Sequence, residues 1–273
     1  MIVDSHVHVW SADPEAYPFR PLLAHVPAPT VPAPVEALLA AMDAARVDKA
    51  ILVQPSAYGA DHRYLQRCLA GWPRRFAGIC QIDPRAAAPD DDLRRLCAAG
   101  LYRGVRLNTI RQGDLSWLAA PARAELFDTV ETLGLSLSFH MDLDQAPVVA
   151  ALAARHRGVA VIIDYLGPDI HARLDAEPRL ELLAAEPNVH FKLLCTAEDA
   201  LSTYPFPDIA VFYQRVLARF GPRRVMFGSD YPGAARLCRY DKLIAWGGNF
   251  PSLSEAGKTE VMGGTAQRVF GLL

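Results

Sequence analysis

Short apolar runs rich in Val, Ile, Leu and Phe recur along the chain. Longer stretches rich in Ala, Leu and Arg separate them. The runs Ile2–His8, Ala50–Gln54, Phe76–Ile82, Gly104–Leu107, Leu135–His140, Val159–Asp164, Val189–Leu194 and Val225–Ser229 read as strands. Val35–Arg46, Asp61–Leu69, Asp90–Ala99, Ala122–Leu133, Ala146–Arg157, Asp208–Phe220 and Ser252–Phe270 read as helices. Asp61 is a candidate N-cap, and three Asp open the third helix at the positive end of its dipole. Strand and helix alternating in this way predict a parallel sheet. Eight units predict a closed (β/α)8 TIM barrel in a single α/β domain over 1–273, with an open doubly wound sheet as the rival. The rival lacks a Gly-x-Gly-x-x-Gly phosphate loop.

One stretch breaks the alternation. Residues 17–34 carry six prolines, which suit neither helix nor inner strand. The stretch follows the first strand, so the reading is a semi-rigid loop over the barrel mouth.

Side chains alternate across a strand, so parity sorts lumen from helix-facing positions. By that rule Val3, Val7 and Val9 face the helices, while Asp4, His6 and His8 face the lumen. Ser136, Ser138 and His140 face inward on the fifth strand, and Arg106 on the fourth. Gln54 ends the second strand and Asp230 follows the eighth.

Composition narrows the partners. Half of the 273 residues (51%) are hydrophobic, enough for a large core, and 28 Lys+Arg against 30 Asp+Glu leave a net charge of -2. No basic face for nucleic acid is indicated. No apolar run approaches the ~18 residues of a membrane span. The five cysteines form no C-x-x-C, and the start shows no secretory signal. A soluble cytoplasmic protein acting on a small molecule is expected, with no nucleic-acid or membrane partner. Its assembly is left open, a homodimer included.

His-x-His alone is weak evidence: placing 8 His at random in 273 positions gives roughly 0.2 such pairs. His6, His8, His140 and Asp230 together, all at strand ends, say more, because buried charge is costly unless paired or coordinated. This set suits a divalent metal, zinc first, which lowers the pKa of bound water to about 7. Asp230 would also shuttle the water's proton. Arg106 either grips a substrate carboxylate or neutralises a barrel acid.

These residues carry a resemblance. Met-Ile-Val-Asp-Ser-His-Val-His-Val-Trp resembles the first-strand motif of the amidohydrolase superfamily. Leu52-Val53-Gln54-Pro55-Ser56, Tyr58-Gly59, Asp61–Leu65, Gly104-Val105-Arg106-Leu107-Asn108 and Phe227-Gly228-Ser229-Asp230-Tyr231-Pro232 resemble its 2-pyrone-4,6-dicarboxylate lactonase-like branch. The resemblance covers nearly the whole chain. It implies a barrel hydrolase that opens a lactone of a small anionic metabolite, with His6, His8, His140 and Asp230 as metal ligands. Asp230, His140 and Tyr165 are then the candidate catalytic residues, and Arg106, Gln54, Tyr58 and Asn108 the candidate substrate-binding ones. The branch includes metal-free members, so a divalent metal is not obligatory.

Three departures affect the substrate. Tyr165 stands where the branch has a His that polarises the scissile carbonyl. Gly233 replaces a frequent His, and Cys195-Thr196 replaces a Ser-Gly pair after Lys192. A decarboxylase on the same barrel and a non-catalytic ligand-binding barrel are the alternatives. His25 and His62 are expected near the mouth. His156, His171 and His190 are expected to be structural or solvated, and Cys195 is a poor candidate nucleophile. Trp10 and Tyr231 are candidate pocket walls.

Overall fold

A computed structural model describes residues 1–22, 26–120, 123–167, 176–195 and 202–272. Eight parallel strands form one sheet in sequence order. They are β1 Val3–Val7, β2 Lys49–Val53, β3 Phe76–Gln81, β4 Tyr102–Asn108, β5 Ser136–His140, β6 Val161–Tyr165, β7 Val189–Leu194 and β8 Val225–Gly228. Helices α1 Val35–Ala44, α2 Arg63–Gly71, α3 Pro89–Cys97, α4 Ala124–Thr132, α5 Ala146–Arg155, α6 Ala176–Ala185, α7 Pro207–Phe220 and α8 Tyr240–Gly247 alternate with them. Two short helices, α9 Glu255–Thr259 and α10 Thr265–Phe270, follow across a π turn at Glu260–Gly264.

The sheet returns on itself at the β1–β8 seam. The Asp230 N–H donates to the His6 carbonyl at 3.0 Å, and the His8 N–H to the Tyr231 carbonyl at 2.7 Å. The fold is the expected (β/α)8 barrel. Strands covered on both faces read as nearly continuous apolar runs, which is why they were visible. Helices α6 and α8 were not expected, and Tyr-Asp-Lys-Leu-Ile-Ala-Trp-Gly of α8 is too short to show a helical period clearly. Helix α2 starts at Arg63 with His62 in the cap position. Asp61 accepts from the Arg63 N–H at 3.1 Å without capping the helix.

The core has two parts. An outer shell lies between strands and helices. An inner cluster of Val3, Ile51, Val53, Ala77, Ile79, Ile162 and Met226 fills the lower lumen, with Ala266 and Phe270 of α10 plugging it from below. Val3 therefore faces the lumen, against the parity expectation, while Val7 and Val9 are in the outer shell. Asp4 likewise turns away from the lumen and accepts from the Tyr240 hydroxyl of α8 at 2.9 Å. The cause is a register irregularity between Asp4 and Val7, which resets the alternation so that His6 still points inward.

The proline-rich loop is tied at its ends. The Trp10 N–H donates to the Ala33 carbonyl and the Arg20 N–H to the Ala57 carbonyl, each at 2.9 Å. The Trp10 indole N–H donates to the Val31 carbonyl at 2.6 Å.

Helix α8 lies directly on β8. A Cβ at Gly247 would stand 2.1 Å from the ring of Phe227, which is fully buried. We expect Gly247→Ala to cost about 1–3 kcal/mol, read as a lower urea midpoint at unchanged slope.

Candidate active site

The C-terminal ends of the strands surround a cavity of about 330 Å³. His6, His8, Arg106, Asn108, His140, Asp164, Tyr165 and Asp230 line it from the strands. Trp10, Val26, Pro27 and Pro29 line it from the loop above, and Arg111 and Arg236 from loops at the rim.

Barrel closure makes the first cluster. Asp230 has φ of 55°, a left-handed conformation that is strained for a non-glycine residue. Its Oδ1 lies 3.9 Å from His6 Nε2 and 3.8 Å from His8 Nε2. The two imidazole nitrogens are 3.2 Å apart. Bonds of about 2.0–2.1 Å to a tetrahedral ion put neighbouring ligand atoms roughly 3.3 Å apart, so this spacing fits a small divalent cation. Burial holds both histidines neutral, the form a ligand needs. It drives His6 well down, helped by Lys192, and drives His8 to about 3, helped by Arg106. Gly233 leaves room beside the carboxylate, since a Cβ there would lie 2.9 Å from Asp230 Oδ2.

His140 is the exception in the expected ligand set. The donor atoms that gather within 4.8 Å of one another are those of His6, His8 and Asp230. His140 ends β5, across the barrel from the seam, and its ring lies 5.1 Å from that of Tyr165. Tyr165 enters the cavity because the β5–β6 register shifts between Phe139 and His140, pairing His140 with Tyr165.

Two of the four residues expected to bind substrate do not line this cavity. The Gln54 amide donates to the carbonyls of Gly59 and Asp61, so it holds the loop after β2. Tyr58 is 1% exposed and packs in the outer core against Phe19, and its hydroxyl accepts from the Ser11 N–H at 2.8 Å. Asn108 does line the cavity, oriented by donation to Ser56 Oγ at 3.0 Å. Arg106 is there too, with Nε 3.3 Å from Asp164 Oδ2.

Asp164 and Lys192 were not among the expected site residues. Lys192 is fully buried, and its Nζ lies 2.8 Å from Asp164 Oδ1 and 3.1 Å from His6 Nδ1. Their signal was present: each is the charged residue in an otherwise apolar strand, Val-Ile-Ile-Asp and Phe-Lys-Leu-Leu, at lumen parity. Arg111 and Arg236 were also missed, because they lie on loops where parity gives no guidance.

The remaining described histidines are held by the fold, and His62, expected near the mouth, does not line the cavity. His62 accepts from the Gln81 N–H at 3.1 Å, and His190 donates to the Asn188 carbonyl. His156 is buried beside Phe127. His25 and His171 lie outside the described residues. Cys195 is buried in the outer core. Tyr231 packs against Tyr240.

Fold and rim together define a (β/α)8-barrel enzyme whose chemistry sits at the C-terminal ends of the strands. The family model described as Amidohydrolase matches residues 3–272, and the chain belongs to that family. Among its relatives, an L-fucono-1,5-lactonase of Burkholderia ambifaria is 25% identical over 89% of this chain and 84% of its own. A 4-sulfomuconolactone hydrolase of Rhizobium radiobacter is 26% identical over 84% and 75%. A crystal structure of an amidohydrolase from Burkholderia multivorans with bound zinc matches with TM-score 0.81 at 26% identity, covering 100% of both chains.

Removing the charge of Asp164 leaves Lys192 buried without its counter-ion. We expect Asp164→Asn to cost about 3–5 kcal/mol in urea denaturation, where an exposed pair would cost under about 1.

Proposed function

We propose that this enzyme hydrolyses a lactone of a small, carboxylate-bearing molecule. One observation carries the reading: the Asp230 carboxylate stands beside two neutral imidazoles at the floor of a cavity rimmed by arginines. The names of the two lactone-hydrolysing relatives support the same class.

Asp230 takes the proton of the attacking water as its oxygen bonds to the lactone carbonyl carbon. The ring C–O bond then breaks, and Asp230 returns the proton to the departing alkoxide. Tyr165 donates a hydrogen bond to the carbonyl oxygen. A phenol O–H on β6 is a hydrogen-bond donor aimed into the cavity, so its part is to polarise the carbonyl. His140 supports the Tyr165 ring from the neighbouring strand. Arg106 is ion-paired with Asp164 through the Nε side and offers its guanidinium N–H groups to a substrate carboxylate, with Asn108 beside it.

His6, His8 and Asp230 would hold a divalent ion, zinc by analogy with the Burkholderia multivorans structure. The ion would supply Lewis acidity and a lower water pKa. Base catalysis by Asp230 is compatible with either state of the cluster.

The five cysteines form no disulfide, which agrees with a reducing cytoplasm. No helix among the described residues is long and apolar enough to cross a membrane.

A panel of five- and six-membered lactones, followed by acid release, tests the reading. Benzoate-type acids followed by carbon dioxide release form the control. We expect turnover of lactones only, and carbon dioxide release without lactone opening would overturn the proposal. Asp230→Asn should lower kcat by about 10²–10⁴-fold. Tyr165→Phe should lower it by about 10²–10³-fold with little change in KM.

A further inference from the structure

The hydrogen bonds through the His6–His8 pair allow one placement of protons. The Val53 carbonyl only accepts, and it lies 2.9 Å from His8 Nδ1. His8 therefore carries its proton on Nδ1 and a lone pair on Nε2. The Lys192 ammonium only donates, and its Nζ lies 3.1 Å from His6 Nδ1. That nitrogen is therefore a lone pair, and the single proton of neutral His6 sits on Nε2. The 3.2 Å contact between the two Nε2 atoms is then an N–H of His6 meeting a lone pair of His8. Two ends set independently, by a carbonyl and by an ammonium, make the middle contact complementary. Hydrogen bonds run in one direction, from Lys192 through His6 and His8 to Val53.

We infer that Lys192 is a positioning residue that holds His6 with its proton on Nε2, and so opposes cation binding at the His6–His8–Asp230 cluster. The inference builds on the proposed reading of that cluster as a cation site. For His6 Nε2 to become a ligand, that nitrogen must lose its proton and Nδ1 must gain one, leaving the ring neutral. A donating ammonium cannot receive the new N–H. The acceptor on that side is Asp164 Oδ2, 3.9 Å away and already facing Arg106 Nε at 3.3 Å. A cation therefore enters only if Lys192 swings off Nδ1 and Asp164 takes its place. In metal sites generally, a carboxylate or carbonyl facing the outer imidazole nitrogen strengthens the ligand. Here His8 has that arrangement and His6 has the reverse.

The test begins on wild-type protein freed of metal by a chelator. Long-range proton–nitrogen spectra of the histidine rings should show His6 protonated at Nε2 and His8 at Nδ1. In Lys192→Met the His6 proton should move to Nδ1, where Asp164 is the remaining acceptor. Zinc affinity, measured by competition with a chromophoric chelator, should rise at least about tenfold in Lys192→Met and stay near wild type in Lys192→Arg. His6 found protonated at Nδ1 in the wild type would overturn the inference. So would an unchanged zinc affinity in a folded Lys192→Met protein. If neither protein binds zinc, the cation reading of the cluster fails, while the wild-type spectrum still decides the role of Lys192. That spectrum needs no variant, so misfolding of a variant leaves the inference testable.

Discussion

The Asp164 carboxylate holds the centre of the barrel together. It lies between two buried cations, Lys192 at 2.8 Å and Arg106 at 3.3 Å, and Lys192 in turn reaches His6. A buried ammonium or guanidinium without such a partner would cost several kcal/mol. Burial pushes the proton affinity of Lys192 and Arg106 down, and the carboxylate pulls it back up. Four strands, β1, β4, β6 and β7, are therefore linked through one side chain. The network also holds His6, the imidazole that lies beside Asp230.

The seam between β1 and β8 is the second constraint. Asp4 accepts from the Ser229 N–H at 2.9 Å and the His6 N–H at 3.2 Å, and its other oxygen reaches Tyr240. One buried carboxylate thus joins the first strand, the last strand and the helix behind them. Because the seam closes there, residues more than two hundred positions apart, His6 and Asp230, become neighbours. The left-handed backbone at Asp230 is the local consequence. The residue turns sharply enough to give its N–H to His6 and its carboxylate to the two histidines.

Much of this was legible in the sequence, and the failures have physical causes. Buried parallel strands announce themselves as apolar runs, and a charged residue within one stands out. His6, His8, Arg106 and Asp230 were found in that way. Alternation failed where the pleat is interrupted. The irregularity in β1 sent Val3 inward and Asp4 outward, and the shift beside His140 brought Tyr165 into the cavity. Gln54 and Tyr58 sit near the rim in sequence but are used to tie the β2 loop and the loop above it. A polar side chain near a strand end has two equally good uses, holding backbone or meeting a ligand, and the sequence does not separate them. Asp164 ends an expected strand and Lys192 precedes a departure from the family pattern, but their partnership spans two strands and appears only in three dimensions.

The plug formed by Ala266 and Phe270 bears on how the molecule is made. The lower lumen cluster, which contains Val3, is completed by side chains from α10. During synthesis β1 emerges before β8 and α10, and it keeps an open edge and an unfilled interior until the strand and helix that complete it have left the ribosome. His6 and His8 therefore remain an unformed half-site until Asp230 has been made and has reached them. The cluster with Asp230 exists only where the two ends of the sheet meet, so its geometry, for a water or for an ion, requires the closed barrel.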